Sequence, residues 1–180
     1  MHELIWTGSL NDPYRIGGRV GLYDTTLRDG EQTVGVVLDP PQKLEIARLL
    51  DELGIDRIEA GFPRVSQDDW DAVKLIAEAG LRAEVWGFSR AVPADLEALV
   101  ELGVRFSVIE SPISDLKLQA IGVPRETMLD RITSAMRFAA EHGIHAAFFG
   151  VDSTRAEPDF YELVYRSAVE AGAREVVVVD

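Results

Sequence analysis

The chain has 180 residues, of which 47% are hydrophobic and 27% are charged, and these proportions are ordinary for a soluble globular domain. A net charge of −13 argues against a general nucleic-acid or anionic-membrane surface, although a few arginines in a cleft can still bind a small anion. The chain has no cysteine, which excludes disulfides, thiolate metal sites and cysteine nucleophiles. No apolar stretch is long enough to span a membrane and no signal-peptide pattern opens the chain, so we expect a cytoplasmic protein.

Residues 1–19 contain turn signals and are predicted to form an N-terminal extension. From there strands alternate with helices, and each predicted helix ends at a glycine shortly before the next apolar run. The predicted strands are Val20–Asp24, Ile55–Ala60, Leu81–Phe88, Val104–Ile109, Ile144–Phe149 and Glu175–Val179. The predicted helices between them are Gln42–Leu53, Gln67–Ala79 (with Ser66 as its N-cap), Pro93–Leu102, Arg125–His142 and Pro158–Ala171.

This alternation predicts right-handed βαβ crossovers and a parallel sheet, and hence an α/β fold. Six strands with five intervening helices fit either an open doubly wound sheet or an incomplete (β/α)8 TIM barrel, since a whole barrel needs two more units and usually about 250 residues. Periodicity alone does not separate the two.

Polar residues follow the carboxyl ends of all six predicted strands, where parallel α/β proteins gather their chemistry. Taken singly, each of them is best explained as a helix cap or a solvated loop, but six together are more informative. They are Asp24–Gln32, Glu59, Ser89-Arg90, Glu110-Ser111, Asp152–Arg155 and Asp180.

The first of these stretches, Asp24-Thr25-Thr26-Leu27-Arg28-Asp29-Gly30-Glu31-Gln32, resembles the signature of the DRE-type TIM-barrel metalloenzymes. That family includes 2-isopropylmalate, homocitrate and citramalate synthases and hydroxymethylglutaryl-CoA lyase. Further stretches extend the resemblance over residues 20–180. These stretches are Ile58–Pro63, Ser111 with Lys117-Leu118, Asp152 with Thr154-Arg155, and Ala171–Ala173. The resemblance implies that residues 20–180 are the N-terminal portion of a TIM-barrel catalytic domain.

The resemblance implies a role for three residues of the chain. Asp29 would be the first-strand ligand of a divalent metal (Mg, Mn or Zn), because a hard carboxylate oxygen suits these ions. Arg28 would be catalytic, holding a carbonyl or enolate oxygen while negative charge develops on it. Glu59 would be the second catalytic residue and would fix the orientation of Arg28.

Three more residues would bind substrate. Gln32 and Ser111 would border it, and Arg90 would bind an acid group or a CoA phosphate, with a surface ion pair as the alternative for Arg90. The reaction implied is the condensation of acetyl-CoA, or another acyl-CoA, with a 2-oxo acid, and Gly61-Phe62-Pro63 favours this synthase branch over the lyase branch. A retro-aldol lyase of the hydroxymethylglutaryl-CoA type and a non-catalytic or split-enzyme subunit are the alternatives.

The sequence also departs from the family pattern. The family takes two metal-binding histidines from its seventh strand, whereas His142 and His145 are predicted at the opposite end of the sheet from the active face. Val151 stands where the synthases usually carry Glu, and Ser114 stands where a His is frequent. We therefore expect the isolated 180 residues to be inactive. The chain is then a truncation, a split-enzyme subunit completed by a second chain, or a partial barrel that forms a homo-oligomer through its open edges.

Overall fold

The computed structural model describes residues 19–179, so the predicted N-terminal extension, apart from Arg19, lies outside the described residues. Strands and helices alternate within this range. The strands are β1 (Tyr23–Asp24), β2 (Arg57–Gly61), β3 (Glu84–Arg90), β4 (Phe106–Pro112), β5 (His145–Val151) and β6 (Glu175–Val178). The helices are α1 (Pro40–Leu53), α2 (Gln67–Ala77), α3 (Pro93–Glu101), α4 (Asp115–Ile121), α5 (Arg125–Glu141) and α6 (Pro158–Glu170).

The six strands form one parallel sheet whose spatial order, β1-β2-β3-β4-β5-β6, is also their order along the chain. A doubly wound sheet reverses its strand order at a switch point, and this sheet does not. The register is most extensive between β4 and β5, where every residue from Phe106 to Pro112 has a partner. The predicted incomplete TIM barrel with six parallel strands is therefore confirmed.

The helix prediction needs one correction. The connection from β4 to β5 carries two helices rather than one, because the short α4 precedes α5. The Ser114 hydroxyl oxygen caps α4 by accepting a hydrogen bond from Lys117 N, and Gly122 ends the helix in the left-handed conformation. At seven residues, α4 is too short to show a clear helical repeat.

The other helix boundaries follow local chemistry. Helix α1 begins two residues earlier than predicted, because Asp39 and Gln42 form a reciprocal capping box and Pro40 occupies the first turn. The predicted cap of α2 is confirmed, since the Ser66 hydroxyl oxygen accepts from Asp69 N at 3.0 Å.

Alternation along the strands gives the sheet two different faces. The outer face packs under the helices and includes Ile58, Ile109 and Phe148 in the main apolar core. The inner face, the concave side of the half-barrel, carries a smaller cluster built on Trp86, Phe88, Val108 and Ala147. Chemistry at the carboxyl end of the sheet therefore depends on which side chains share the inner face.

Two glycines allow helices to approach the outer face closely. A Cβ on Gly87 would lie 2.6 Å from Leu99 of α3, and one on Gly150 would lie 2.7 Å from the Tyr165 hydroxyl of α6. That hydroxyl donates to the Val177 carbonyl oxygen at 2.8 Å and so ties α6 to β6.

A charged cluster occupies the inner face at the amino end of the sheet. Arg57 of β2 reaches Glu175 of β6 with two hydrogen bonds, of 2.7 and 3.0 Å, and contacts Glu84 at 2.8 Å. The His145 ring lies 2.8 Å from the same Glu175 carboxylate. The Arg57–Glu175 contact links β2 to β6, which are not neighbours in the sheet, and so holds the curvature of the sheet. Within residues 19–179, no helix combines the length and apolar character needed to cross a membrane.

Candidate active site

Arg28 is held above the inner face by a tight turn after β1. The backbone amides of Arg28, Asp29 and Gly30 all donate to the Thr25 carbonyl oxygen, at 3.2, 2.8 and 3.2 Å. The Arg28 guanidinium carbon lies 4.4 Å from the centre of the Phe88 ring, which is within cation–π range. The turn therefore places a fixed cation beside the carboxyl ends of β1 to β3.

Glu59 orients that cation. Its side chain is buried on β2, with 1% of the residue exposed, and it accepts a hydrogen bond from Arg28 Nε. The Tyr23 hydroxyl donates to the other Glu59 oxygen at 2.5 Å. Loss of solvent around the phenol and the adjacent Glu59 charge both raise the pKa of Tyr23. The structure thus brings together the predicted catalytic residues Arg28 and Glu59 and adds Tyr23 as a third member.

Asp29 lies at the solvent side of the same group. Arg28 Nη1 donates to Asp29 Oδ1 at 3.0 Å, and the Asp29 side chain is 63% exposed. An exposed carboxylate at this position suits a divalent cation in kind, since Mg, Mn and Zn accept carboxylate oxygens. One carboxylate is too few ligands to hold a metal, and within residues 19–179 no group of three or more His, Cys, Asp or Glu residues is arranged to hold one.

Gln32 reaches the site from the short 3-10 turn that follows Asp29. It is exposed and lines a pocket of about 290 Å³ together with Arg28, Phe62 and Lys43. The turn is anchored from below by Lys43 of α1, whose ammonium lies between Glu31 and Asp69 (2.8 Å) with 1% of the residue exposed. Burial alone would lower the pKa of Lys43, but hydrogen bonds to Asp69 and Glu31 outweigh it and raise the pKa.

Arg90, at the end of β3, forms the ion pair named above as its alternative role. Its Nε and Nη2 donate to the buried Asp95 carboxylate at 2.8 and 3.1 Å, and these hydrogen bonds to Asp95 raise the pKa of Arg90. The guanidinium also lies 5.3 Å from the centre of the Phe62 ring. Phe62 and Phe88 are themselves 5.8 Å apart, so Arg28 and Arg90 cover two adjacent rings. The binding of an acid group or a CoA phosphate by Arg90 stays a prediction.

Ser111 is not brought to this group. It is buried on the outer face of β4, where its hydroxyl lies 3.4 Å from the Met128 sulfur of α5. Because strand residues alternate between faces, the inner position is taken by its neighbour Glu110. The predicted contact of Ser111 with substrate therefore has no support from its position.

Strand β5 ends at Val151, and the chain turns away from the strand at Asp152. Asp152 adopts the left-handed conformation (φ 61°) and is buried. Its carboxylate accepts hydrogen bonds from the Ser114 hydroxyl and from Arg155 Nε, and these contacts lower its pKa. Ser114 and Asp152 thus fasten the α4 cap to the β5 turn.

Sequence reasoning gave no role to Tyr23, Lys43 or Glu110. Glu110 was detectable in principle, because its alternation with Phe106 and Val108 places all three on one face. Tyr23 and Lys43 are recognised only through long-range contacts, Tyr23 through Glu59 and Lys43 through Asp69. Beneath the Arg28–Glu59 pair, the inner face forms an open pocket of about 370 Å³ that Trp86 and Phe149 help to line.

Comparison with known proteins gives consistent relatives. The chain is 46% identical over 160 residues to homocitrate synthase AksA of Methanopyrus kandleri, covering 88% of this chain and 40% of that protein. It is 41% identical over 168 residues to 2-isopropylmalate synthase of Methanocaldococcus jannaschii, covering 92% of this chain and 32% of that protein. The chain therefore spans 32% to 40% of the length of these two curated relatives.

Among solved structures, the hydroxymethylglutaryl-CoA lyase of Bacillus subtilis superposes with a TM-score of 0.73 at 15% identity, over 88% of this chain and 57% of that one. At that identity the likeness concerns the fold alone. The family model described as HMGL-like matches residues 19–180, a range that contains every strand and helix described above. The chain therefore belongs to the HMGL-like family, as the Asp24–Gln32 motif predicted.

Proposed function

We propose that the chain forms the N-terminal portion of a metal-dependent barrel enzyme that condenses acetyl-CoA, or another acyl-CoA, with a 2-oxo acid. The observation that carries the proposal is the buried Arg28–Glu59 pair at the carboxyl end of the sheet, with Asp29 and Gln32 beside it. The names of the synthase relatives support the same reaction class.

Arg28 supplies the positioned positive charge that this chemistry requires. When a carbon nucleophile attacks a ketone, negative charge develops on the carbonyl oxygen, and a donor already in place stabilises that charge without reorganising. A guanidinium has five N–H donors, so Arg28 retains donors for substrate beyond its contacts with Glu59 and Asp29. Glu59 and the Phe88 ring keep the group from rotating away.

A divalent metal would be held in part by Asp29, with its remaining ligands from outside residues 19–179. When bound, such an ion polarises the carbonyl of a chelated 2-oxo acid. Gln32 would border that acid, and the two aromatic rings under Arg28 and Arg90 would exclude water from the reacting carbons.

The same side chains also suit the reverse type of reaction, a retro-aldol cleavage of the hydroxymethylglutaryl-CoA lyase type. A different candidate is a non-catalytic or split-enzyme subunit, and the observation that favours it is that Asp29 is not joined, within residues 19–179, by a group of ligands able to hold a metal. Under either enzymatic proposal, the partner is a second chain that completes the barrel or another copy of this one. We also propose that the protein is cytoplasmic.

The test measures free thiol released from acetyl-CoA with a panel of 2-oxo acids in the presence of Mg²⁺, Mn²⁺ or Zn²⁺. The chain is assayed alone and together with a chain that completes the eight-unit barrel. We expect release in the completed barrel to require a 2-oxo acid and to fall to background in Asp29→Asn, while Asp130→Asn, on the distant helix α5, keeps activity. Release that is independent of the 2-oxo acid would contradict the synthase proposal.

Isothermal calorimetry of the isolated chain addresses the subunit alternative. With Asp29 as the single ligand, we expect weak divalent-metal binding at most. Tight binding would show that this chain holds a complete metal site, which argues against a merely structural subunit.

A further inference from the structure

Glu110 occupies the inner face at the carboxyl end of β4. It alternates with Phe106 and Val108, both of which contact the inner apolar cluster. In the register of the sheet, Glu110 lies opposite Arg90 on β3 and Phe149 on β5. Its carboxyl group is therefore on the same side of the sheet as Arg28 and at the same end as Arg90.

The surroundings of Glu110 are mixed in charge. Its removal from solvent raises its pKa most strongly, and the negative charge of Asp95 acts in the same direction. Arg28, Arg90 and Lys117 act in the opposite direction, but the net effect is a raised pKa. A carboxylate of this kind exchanges a proton closer to neutral pH than an exposed one does.

The other carboxylates near the carboxyl end of the sheet are engaged. Glu59 accepts from Arg28 and Tyr23, Asp95 pairs with Arg90, and Asp152 accepts from Ser114 and Arg155. Within residues 19–179, no hydrogen bond or ion pair within 4.0 Å is recorded for the Glu110 carboxyl group. Glu110 is thus the half-buried acid of this end of the sheet that is left free to bind and release a proton.

We propose that Glu110 is the catalytic base that removes a proton from the carbon next to the thioester carbonyl of the acyl-CoA. The inference rests on the proposed function, which needs a carbon nucleophile, and it names the residue that generates it. Val151, on the inner face of the neighbouring strand, is apolar and cannot take this role. The positive charge of Arg28, which acts on Glu110, would stabilise the negative charge that follows.

The step balances within the residues and substrate named. One Glu110 carboxylate oxygen takes the proton, and the electron pair of the broken C–H bond becomes the enolate. In the condensation, that pair forms the new carbon–carbon bond to the ketone carbon, and the carbonyl electron pair moves to its oxygen. In the absence of a 2-oxo acid, the enolate takes a proton back from Glu110, which has meanwhile exchanged with solvent.

This reversibility provides a test that does not require condensation. The completed eight-unit barrel of the thiol-release assay is incubated with acetyl-CoA in D2O, and loss of the methyl proton signal is followed by NMR for wild type, Glu110→Gln and Glu110→Asp. Glu101→Gln, exposed on α3, is the matched control. Because general bases contribute roughly 100-fold or more, we expect Glu110→Gln to slow exchange at least about 100-fold. Glu110→Asp should be intermediate, because it keeps a base on a shorter arm, and Glu101→Gln should match wild type.

The pH profile separates a base from a structural residue. The carboxyl signals of 13C-labelled glutamate, with Glu110 assigned through Glu110→Gln, give its titration midpoint directly. We expect that midpoint above the ordinary range for glutamate and a wild-type exchange rate that rises with pH through the same midpoint. An ordinary midpoint, wild-type exchange at the level of buffer alone, or exchange in Glu110→Gln equal to wild type would each overturn the proposal.

Failure of this inference is distinct from failure of the proposed function. Thiol release that depends on a 2-oxo acid and persists in Glu110→Gln overturns the role of Glu110 and leaves the condensation standing. Exchange that depends on Glu110, without thiol release for any 2-oxo acid in the completed barrel, overturns the condensation and leaves the role of Glu110 as a base standing.

Discussion

At the scale of single residues, the site depends on a buried acid with two donors. Glu59 accepts hydrogen bonds from Arg28 and from Tyr23, and it does so from a strand position with almost no solvent contact. Breaking a buried pair by removing one charge is costly, because the other charge is left without compensation.

Glu59→Gln should therefore destabilise the chain strongly. We expect a loss of about 3 kcal/mol in the free energy of unfolding, at the low end for buried pairs because the Arg28 side chain keeps 14% exposure. Tyr23→Phe, which removes one hydrogen bond to a charged group, should cost about 2 kcal/mol. Urea unfolding measures both, and a Glu59→Gln chain as stable as wild type would contradict the importance of the pair.

The sequence predicted part of this site and missed part of it. The motif resemblance named Arg28, Asp29 and Glu59, and the structure places the three together. Ser111 was assigned by the same resemblance, but the period of two along β4 gives the inner position to Glu110. The sequence shows Lys43 only as part of the predicted helix Gln42–Leu53, because its partners Glu31 and Asp69 lie on other segments and no local pattern joins them.

At the scale of elements, α6 is fixed to the sheet through Tyr165. Its ring packs against Phe148 on the outer face (5.2 Å between centres), and its hydroxyl reaches Val177 over the bare backbone of Gly150. The absence of a side chain at Gly150 is what permits this approach.

Gly150→Ala should displace Tyr165 and weaken the contact between α6 and β6. Inserting a methyl group into a packed position costs about 1–3 kcal/mol. In Tyr165→Phe the obstructing oxygen is gone, so the double variant Gly150→Ala/Tyr165→Phe should lose less stability than the sum of the two single variants. Chemical denaturation of all four chains measures this coupling, and additive losses would show that the hydroxyl is not what the new methyl group meets.

Element boundaries were predictable where a cap or a glycine marks them, as Ser66 does for α2. Strand β1 is shorter than predicted, since Val20 and Leu22 are 63% and 58% exposed and Leu22 N donates to the Asp56 side chain instead of a strand partner. Its extent is therefore set by the pairing of Tyr23 and Asp24 with β2, which no local pattern shows.

At the scale of the whole molecule, the Arg57–Glu175 contact joins the second strand to the sixth across the inner face. Hydrogen bonds from Arg57, and secondarily from His145, hold the pKa of Glu175 below its usual range. A carboxylate with a lowered pKa in the folded state adds stability above its unfolded-state pKa, and this stability is lost as the pH falls through the folded-state value.

We therefore expect wild type to be more stable than Glu175→Gln at pH 7 and the difference to shrink as the pH falls below 4.5, the ordinary glutamate value. Added salt should also reduce the difference, because both side chains are 33% exposed and partly screened. Thermal unfolding from pH 7 to pH 3, with Glu101→Gln as control, measures this. A difference that stays constant over this range would show that Glu175 does not pair with Arg57 in solution.

The agreement between sheet order and chain order has a consequence for how the protein is made. Among the six strands of residues 19–179, each later strand pairs with the one synthesised just before it, so none of these pairings waits for a segment that is still distant along the chain. The chain then loses the entropy of loop closure in several small steps, because each closure joins segments that are near in sequence. A ribosome that releases about 5–20 residues per second leaves time for each βα unit to dock on its predecessor before the next one emerges. This topology thus allows the chain to fold progressively from its first strand as it leaves the ribosome.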